Sequence, residues 1–321
     1  MRSLWPDRKA LLCVAVGAAL IASSPIGAQQ NQLQPSQLQA FISAVDANGA
    51  PVTDLKSEEI AMTENGAPGK VVSLDRFSLP IKLTIAVDNG KDSQNALSTV
   101  REGLTGLVDA LPPDIEVTLV TLAPQPAMFV KPTTDRAQIA RGISRFGVDT
   151  TEAPRFSDAL VEYAERLDKD FKEKKLTYAP MLVMVSTSAV ESSAAQRDTI
   201  EKALKTLLTR GARVSLIMFT TKPTDADSVD GLKNGRQVLI ATPIVKASRG
   251  KFEPLVAFSR LATLLPEWGK EIAFSHTRQM NQYRAVIERP GGATGPLVSP
   301  GLRLTRPGLN GAVSFDGRFI P

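Results

Sequence analysis

The sequence predicts a doubly wound α/β protein, with a mostly parallel sheet, helices on both faces and a small N-terminal β unit. Three observations lead there. Ile81–Val87 alternates large apolar residues (Ile81, Leu83, Ile85, Val87) with Lys82, Thr84 and Ala86, then gives way to Asp88-Asn89-Gly90 and an amphipathic stretch from Gln94 to about Leu111. A strand, a turn and a helix in that order begin an open α/β sheet. Met181–Val185 and Val214–Phe219 are continuous apolar runs, as strands buried on both faces should be. Between them Ile200, Leu204, Leu207 and Leu208 mark one face of a helix over Ala194–Thr209, stopped by Gly211.

Residues 1–28 read as a secretory signal peptide. Arg2, Arg8 and Lys9 form its basic end, Ala10–Ala22 its apolar centre, and Ile26-Gly27-Ala28 offers a small residue before the cut. The apolar run is shorter than the ~20 residues a membrane span needs. The expectation is a periplasmic or secreted protein with no stable span after cleavage. Cys13 is the only cysteine and lies in this segment, so the mature chain has no disulfide or thiolate chemistry. The formal charge of +5 falls to +3 once Arg2, Arg8, Lys9 and Asp7 are removed, too little to mark a nucleic-acid partner.

Gln29–Gln37 is a Gln-rich lead-in. The small β unit, residues 38–79, has strands at Ala40–Val45, Ile60–Glu64 and Val71–Leu74, with turns at Asp46–Gly49 and Asn65-Gly66. The main unit, residues 80–288, continues with strands at Ile115–Leu122 and, antiparallel to it, Ala127–Lys131. Helices follow at Asp135–Phe146 and Phe156–Lys175. Thr220–Gly235 is a polar loop with Asp225, Asp227 and Asp230. Val238–Val245 fits strand or helix. Leu255–Gln279 reads as a helix interrupted or kinked at Pro266, and Tyr283–Glu288 as a closing strand. Residues 289–321 are rich in Gly and Pro, and short strands at Leu302–Thr305 and Val313–Phe315 are suited to the small β unit.

The Asp88 strand–turn–helix, with Asp158-Ala159-Leu160 and the element order, resembles the von Willebrand factor A (vWA) domain. Val45-Asp46-Ala47-Asn48-Gly49-Ala50-Pro51-Val52 and Glu64-Asn65-Gly66 resemble the β unit preceding that domain in bacterial secreted "VWFA-related" proteins. The resemblance implies a Rossmann-like fold and a non-catalytic adhesion or protein-binding role. It also implies a metal-ion-dependent adhesion site on three loops, and that site is degenerate here. The family's Asp-x-Ser-x-Ser is Asp88-x-Gly90-x-Asp92. Its second-loop threonine falls on Pro154, leaving Thr150 and Thr151 as substitutes. Its third-loop Asp-Gly is replaced by Ser186-Thr187-Ser188. A hard cation requires several carboxylate or carbonyl oxygens. No metal or other cofactor is therefore expected, and Asp88 is left to cap the helix or accept turn N–H groups.

Enzyme motifs are missing: there is no Gly-x-Ser-x-Gly elbow, P-loop or Gly-x-Gly-x-x-Gly. His276 is the only histidine and reads as a surface helix residue, which leaves little for a hydrolase. The expected partner is another envelope or extracellular protein. The alternatives are divalent-cation-dependent binding through Asp88 and Asp92, or a hydrolase using His276.

Overall fold

The structure, a computed structural model, describes residues 33–219, 236–315 and 317. The segment read as a signal peptide, the start of the lead-in and the loop carrying Asp225, Asp227 and Asp230 lie outside the described residues. In chain order the elements are β1 (Gln37–Val45), β2 (Ile60–Glu64), β3 (Ala67–Pro68), β4 (Lys70–Phe77), β5 (Ile81–Val87), α1 (Leu97–Asp109), β6 (Glu116–Thr121) and β7 (Ala127–Thr133). They continue with α2 (Arg136–Arg145), α3 (Phe156–Lys172), β8 (Ala179–Thr187), α4 (Arg197–Thr209), β9 (Arg213–Phe219), α5 (Arg236–Ala247), β10 (Phe252–Leu255) and α6 (Leu261–Met280). The chain closes with β11 (Gln282–Glu288), β12 (Pro300–Leu304) and β13 (Asn310–Ser314).

The central sheet has six strands in the order β10-β9-β8-β5-β6-β7. All neighbours are parallel except β6 and β7, which run antiparallel. The strands expected at Ile81–Val87, Ile115–Leu122, Met181–Val185 and Val214–Phe219 all lie in this one sheet. β8 is buried at every one of its nine residues, which is why it reads as an unbroken apolar run. Alternation divides the side chains between two cores. Leu83, Ile85, Val87, Met181 and Val183 meet α1, α2 and α6 on one face. Leu182, Met184, Val214 and Leu216 meet α3, α4 and α5 on the other.

Val238–Val245 is helical, within α5. β10 is a strand absent from the sequence reading, which began a helix at its last residue, Leu255; four residues with Pro254 among them give too short a pattern to register. α6 runs through Pro266 without interruption. The proline ring sits over α1 at Gly106, where a Cβ would lie 2.6 Å from Pro266 Cγ, and a Cβ on Gly269 would lie 2.6 Å from the Leu107 carbonyl oxygen. These two glycines let α1 and α6 approach backbone to backbone.

β11 does not close the central sheet. It lies between β1 and β4 in a separate four-stranded sheet, β13-β1-β11-β4, and is antiparallel to both. The reason is where α6 ends. The Leu79 N–H donates to the Gln279 carbonyl (3.0 Å) and the Ser78 hydroxyl to that of Met280 (2.8 Å), so the chain leaves the central unit beside the point where it entered. A second sheet, β12-β2-β3, covers the first, and Ala40, Ile42, Ile60, Met62, Tyr283 and Ile287 fill the space between. The Tyr283 hydroxyl accepts from Leu55 N–H (3.0 Å) and donates to the Val52 carbonyl (3.2 Å), pinning the loop that joins the sheets.

Candidate functional site

The candidate site lies at the carboxyl ends of β5, β6 and β8, where open α/β sheets place ligands. Asp88 is 1% exposed. Its Oδ1 accepts from Gly90 N–H (2.8 Å), and its Oδ2 from Thr187 N–H (3.0 Å) and the Thr187 hydroxyl (2.5 Å). Asp88 thus ties the end of β5 to the end of β8. Burial pushes its carboxyl above the usual carboxylate range against the pull of these donors, and the nearby Asp92 adds to the rise. The carboxylate does not cap α1, which begins two turns further on after a 3₁₀ segment, Lys91–Ala96. Nor does Ser93 cap it; the Ser93 hydroxyl donates to the Gly90 carbonyl (2.7 Å).

Gly90 and Pro154 occupy one another's space. A Cβ on Gly90 would lie 2.8 Å from Pro154 Cδ and 3.0 Å from the Glu152 carbonyl oxygen, so a serine here would displace the second loop. Lys91 N–H donates to that same Glu152 carbonyl (2.9 Å). Thr150 and Thr151 are exposed and do not join Asp88. Instead Asp149 Oδ1 accepts from the Thr151 hydroxyl (2.8 Å), Thr151 N–H (2.9 Å) and Glu152 N–H (3.0 Å). These donors hold the Asp149 carboxyl below its ordinary range. Asp92 is half-buried. Ser186 is fully buried, and its hydroxyl donates back to the Thr187 carbonyl at 3.4 Å.

Sequence reasoning missed two residues. Asn89, taken only as a turn former, is buried and stitches β5 to the end of β6. Its Oδ1 accepts from Leu122 N–H (3.0 Å) and Ala123 N–H (2.8 Å), and its Nδ2 donates to the Ala123 carbonyl (3.1 Å). Glu191, also buried, caps α3: it accepts from Ser157 N–H (2.9 Å), the Ser157 hydroxyl (2.7 Å) and the Ser193 hydroxyl (2.6 Å). Asp158 answers by accepting from Ala194 N–H (3.1 Å) and Ala195 N–H (2.8 Å). Ser192 N–H donates to the Pro154 carbonyl (2.9 Å). The third loop is therefore laced across the second.

His276 is not a surface residue. It is 2% exposed, at the opposite end of the sheet from Asp88. Its Nδ1 accepts from Ile81 N–H (3.2 Å), which leaves the proton on Nε2 to be donated to Asp114 Oδ2 (2.9 Å). Both ring nitrogens are engaged. His276→Ala is expected to leave the buried Ile81 N–H without an acceptor and to cost about 1–3 kcal/mol in thermal or denaturant unfolding.

No family model matches the chain, and no curated protein matches it. Among solved structures it is similar to a von Willebrand factor type A protein from Catenulispora acidiphila, at 9% identity over 88% of this chain and 73% of that one, with a TM-score of 0.49. It is also similar to the conserved hypothetical protein BatB from Bacteroides thetaiotaomicron (12% identity, 60% of this chain, 98% of that one, TM-score 0.41). A third is the SpRpn10 VWA domain (10% identity, 58% and 95%, TM-score 0.41).

Proposed function

We propose that this chain is a non-catalytic protein-binding module of the vWA type, exported from the cytoplasm, whose metal edge has become a structural joint. The observation that carries this reading is the contact of Gly90 with Pro154. Two positions that hold ligand oxygens in the resembled family are here a glycine and a proline packed against each other. Most of the other oxygens nearby are engaged, those of Asp88 with Gly90 and Thr187, that of Thr151 with Asp149 and that of Ser93 with the Gly90 carbonyl, which leaves Asp92 as the main carboxylate still open. The residues present do not fit a divalent cation held in the manner of the resembled family, because the glycine and the proline supply no side-chain oxygen and the Asp88 carboxylate is already taken. The engaged nitrogens of His276 speak against a hydrolase. The basic and apolar pattern of residues 1–28 supports export, and the partner is then another envelope or extracellular protein.

Thermal unfolding in millimolar Mg²⁺, Mn²⁺ or Ca²⁺ against EDTA tests the metal part. A ligand at a hundredfold excess over Kd stabilises by about 2.7 kcal/mol, worth several degrees. The expected shift is within about a degree. A larger shift that disappears in Asp88→Ala would establish the alternative, cation-dependent binding through Asp88 and Asp92.

A further inference from the structure

The outer edge of the central sheet is β7. β6 pairs with one side of it, and among the described residues no strand pairs with the other. A groove flanks it on each face. On the α2 side, Phe129, Val130, Gly142 and Phe146 form the floor of a cavity of about 400 Å³ walled by Arg141 and Arg145. Gly142 brings α2 down onto the strand, since a Cβ there would lie 2.1 Å from Val130 Cγ2, and the rings of Phe129 and Phe146 meet with centroids 5.5 Å apart. On the α3 side a cavity of about 260 Å³ runs past Met128, Glu162, Arg166 and Lys169. Met128 is 40% exposed.

The charge around the first groove is one-sided. α2 carries three arginines and no acidic residue. Arg136 is spent on the carbonyls of Pro112 and Ile115. Arg141 and Arg145 are exposed, one turn apart, and neither forms an ion pair among the described residues. Lys131 adds a further exposed positive charge on the strand itself. An open strand edge is a template for another strand, whose side chains then fall alternately to the two faces. Pro132 has no N–H and ends the template, leaving Ala127–Lys131, in which a bulge at Phe129 puts Phe129 and Val130 on the same groove. A second copy of this edge would bring like charges together, whereas an acidic strand would neutralise them.

We infer that the β7 edge receives an extended acidic segment of a protein partner as a seventh strand. Carboxylates at alternate positions lie against Arg141 and Arg145, and the intervening side chains lie beside Met128. This rests on the reading of the chain as a protein-binding module, and it locates the contact away from the closed loops around Asp88.

The test is selection of a phage-displayed library of random nine-residue peptides on the full chain. It is followed by binding of the selected peptide, synthesised plain and with alternate backbone nitrogens methylated. Asp or Glu should be enriched at alternate positions. Binding should weaken at least tenfold in Arg141→Glu/Arg145→Glu, less in Arg141→Gln/Arg145→Gln, and should be lost when methylation removes the N–H donors. No enrichment, equal binding to the charge-reversed chain, or indifference to methylation overturns the inference. Pull-downs from envelope extract with the wild type and the charge-reversed chain separate the two readings. Equal capture by both leaves a binding module and removes the β7 edge from its interface; capture by neither removes the module as well.

Discussion

Glu64→Leu is expected to lower stability by about 3–5 kcal/mol, because it strands a buried guanidinium. Glu64 on β2 and Arg289 just past β11 are 7% and 6% exposed at their side chains. Arg289 Nε donates to Glu64 Oε2 at 2.8 Å, and its Nη2 donates to Oε1. Arg289 Nη1 also donates to the Gly295 carbonyl (2.7 Å), while Glu64 Oε1 accepts from Val298 N–H (3.1 Å). The pair thus joins the two sheets of the β unit and the tail between them. Urea unfolding with an unchanged m-value would give the figure directly, and the melting temperature should fall by roughly 10 °C. Glu64→Leu with Arg289→Leu should recover much of the loss, since the charge is then gone. The pair also sets a pH dependence. The Arg289 guanidinium holds the Glu64 carboxyl below its ordinary value. Its contribution is full above the unfolded pKa, near 4.3, and is lost as pH falls through the lower folded value.

Asp88→Ala is the second large effect, expected at about 2–4 kcal/mol, because Gly90 N–H and Thr187 N–H both lose their acceptor in a buried place. Its pH dependence has the opposite sign. Burial raises the folded pKa of Asp88. The stabilisation is therefore complete below the unfolded value, near 3.9, and declines as pH rises through the folded one. The gap in stability between wild type and Asp88→Ala should widen on acidification, which paired denaturant titrations at several pH values will read. A gap that narrows toward acid would mean that Asp88 is a favoured carboxylate, as a cation site would require.

The parallel strands were legible because burial on both faces leaves a contiguous signature, as in Met181–Val185. α5 is ambiguous in the sequence because a run of eight residues, Val238–Val245, interrupted by Thr242 and Pro243, carries no clear period. His276 was misread although its signal was present. It follows Ile272 by four, and Leu265, Trp268, Ile272, His276 and Gln279 continue one helical stripe. A polar residue in an apolar stripe asks for a buried partner, here Ile81 and Asp114. At the candidate site the resemblance names the positions to look at, but not how tightly they close. The clash that forbids a side chain on Gly90 comes from the second loop, sixty residues away in the chain. Asn89 and Glu191 had no local signal at all, since their partners are set by the meeting of loops.

The four-stranded sheet has a consequence for biosynthesis. β1 sets Gln37 opposite Glu288 and Phe41 opposite Ser314, so its partners are strands from the far end of the chain. Residues 81–280 can complete the central sheet while translation continues, as domains commonly do. During that time β1 and β4 wait without the strand that separates them, and unpaired edges of this kind are where nascent chains stick to one another. β1 is made before the central sheet and receives its partners β11 and β13 only after it, so the β unit closes later than the sheet it flanks.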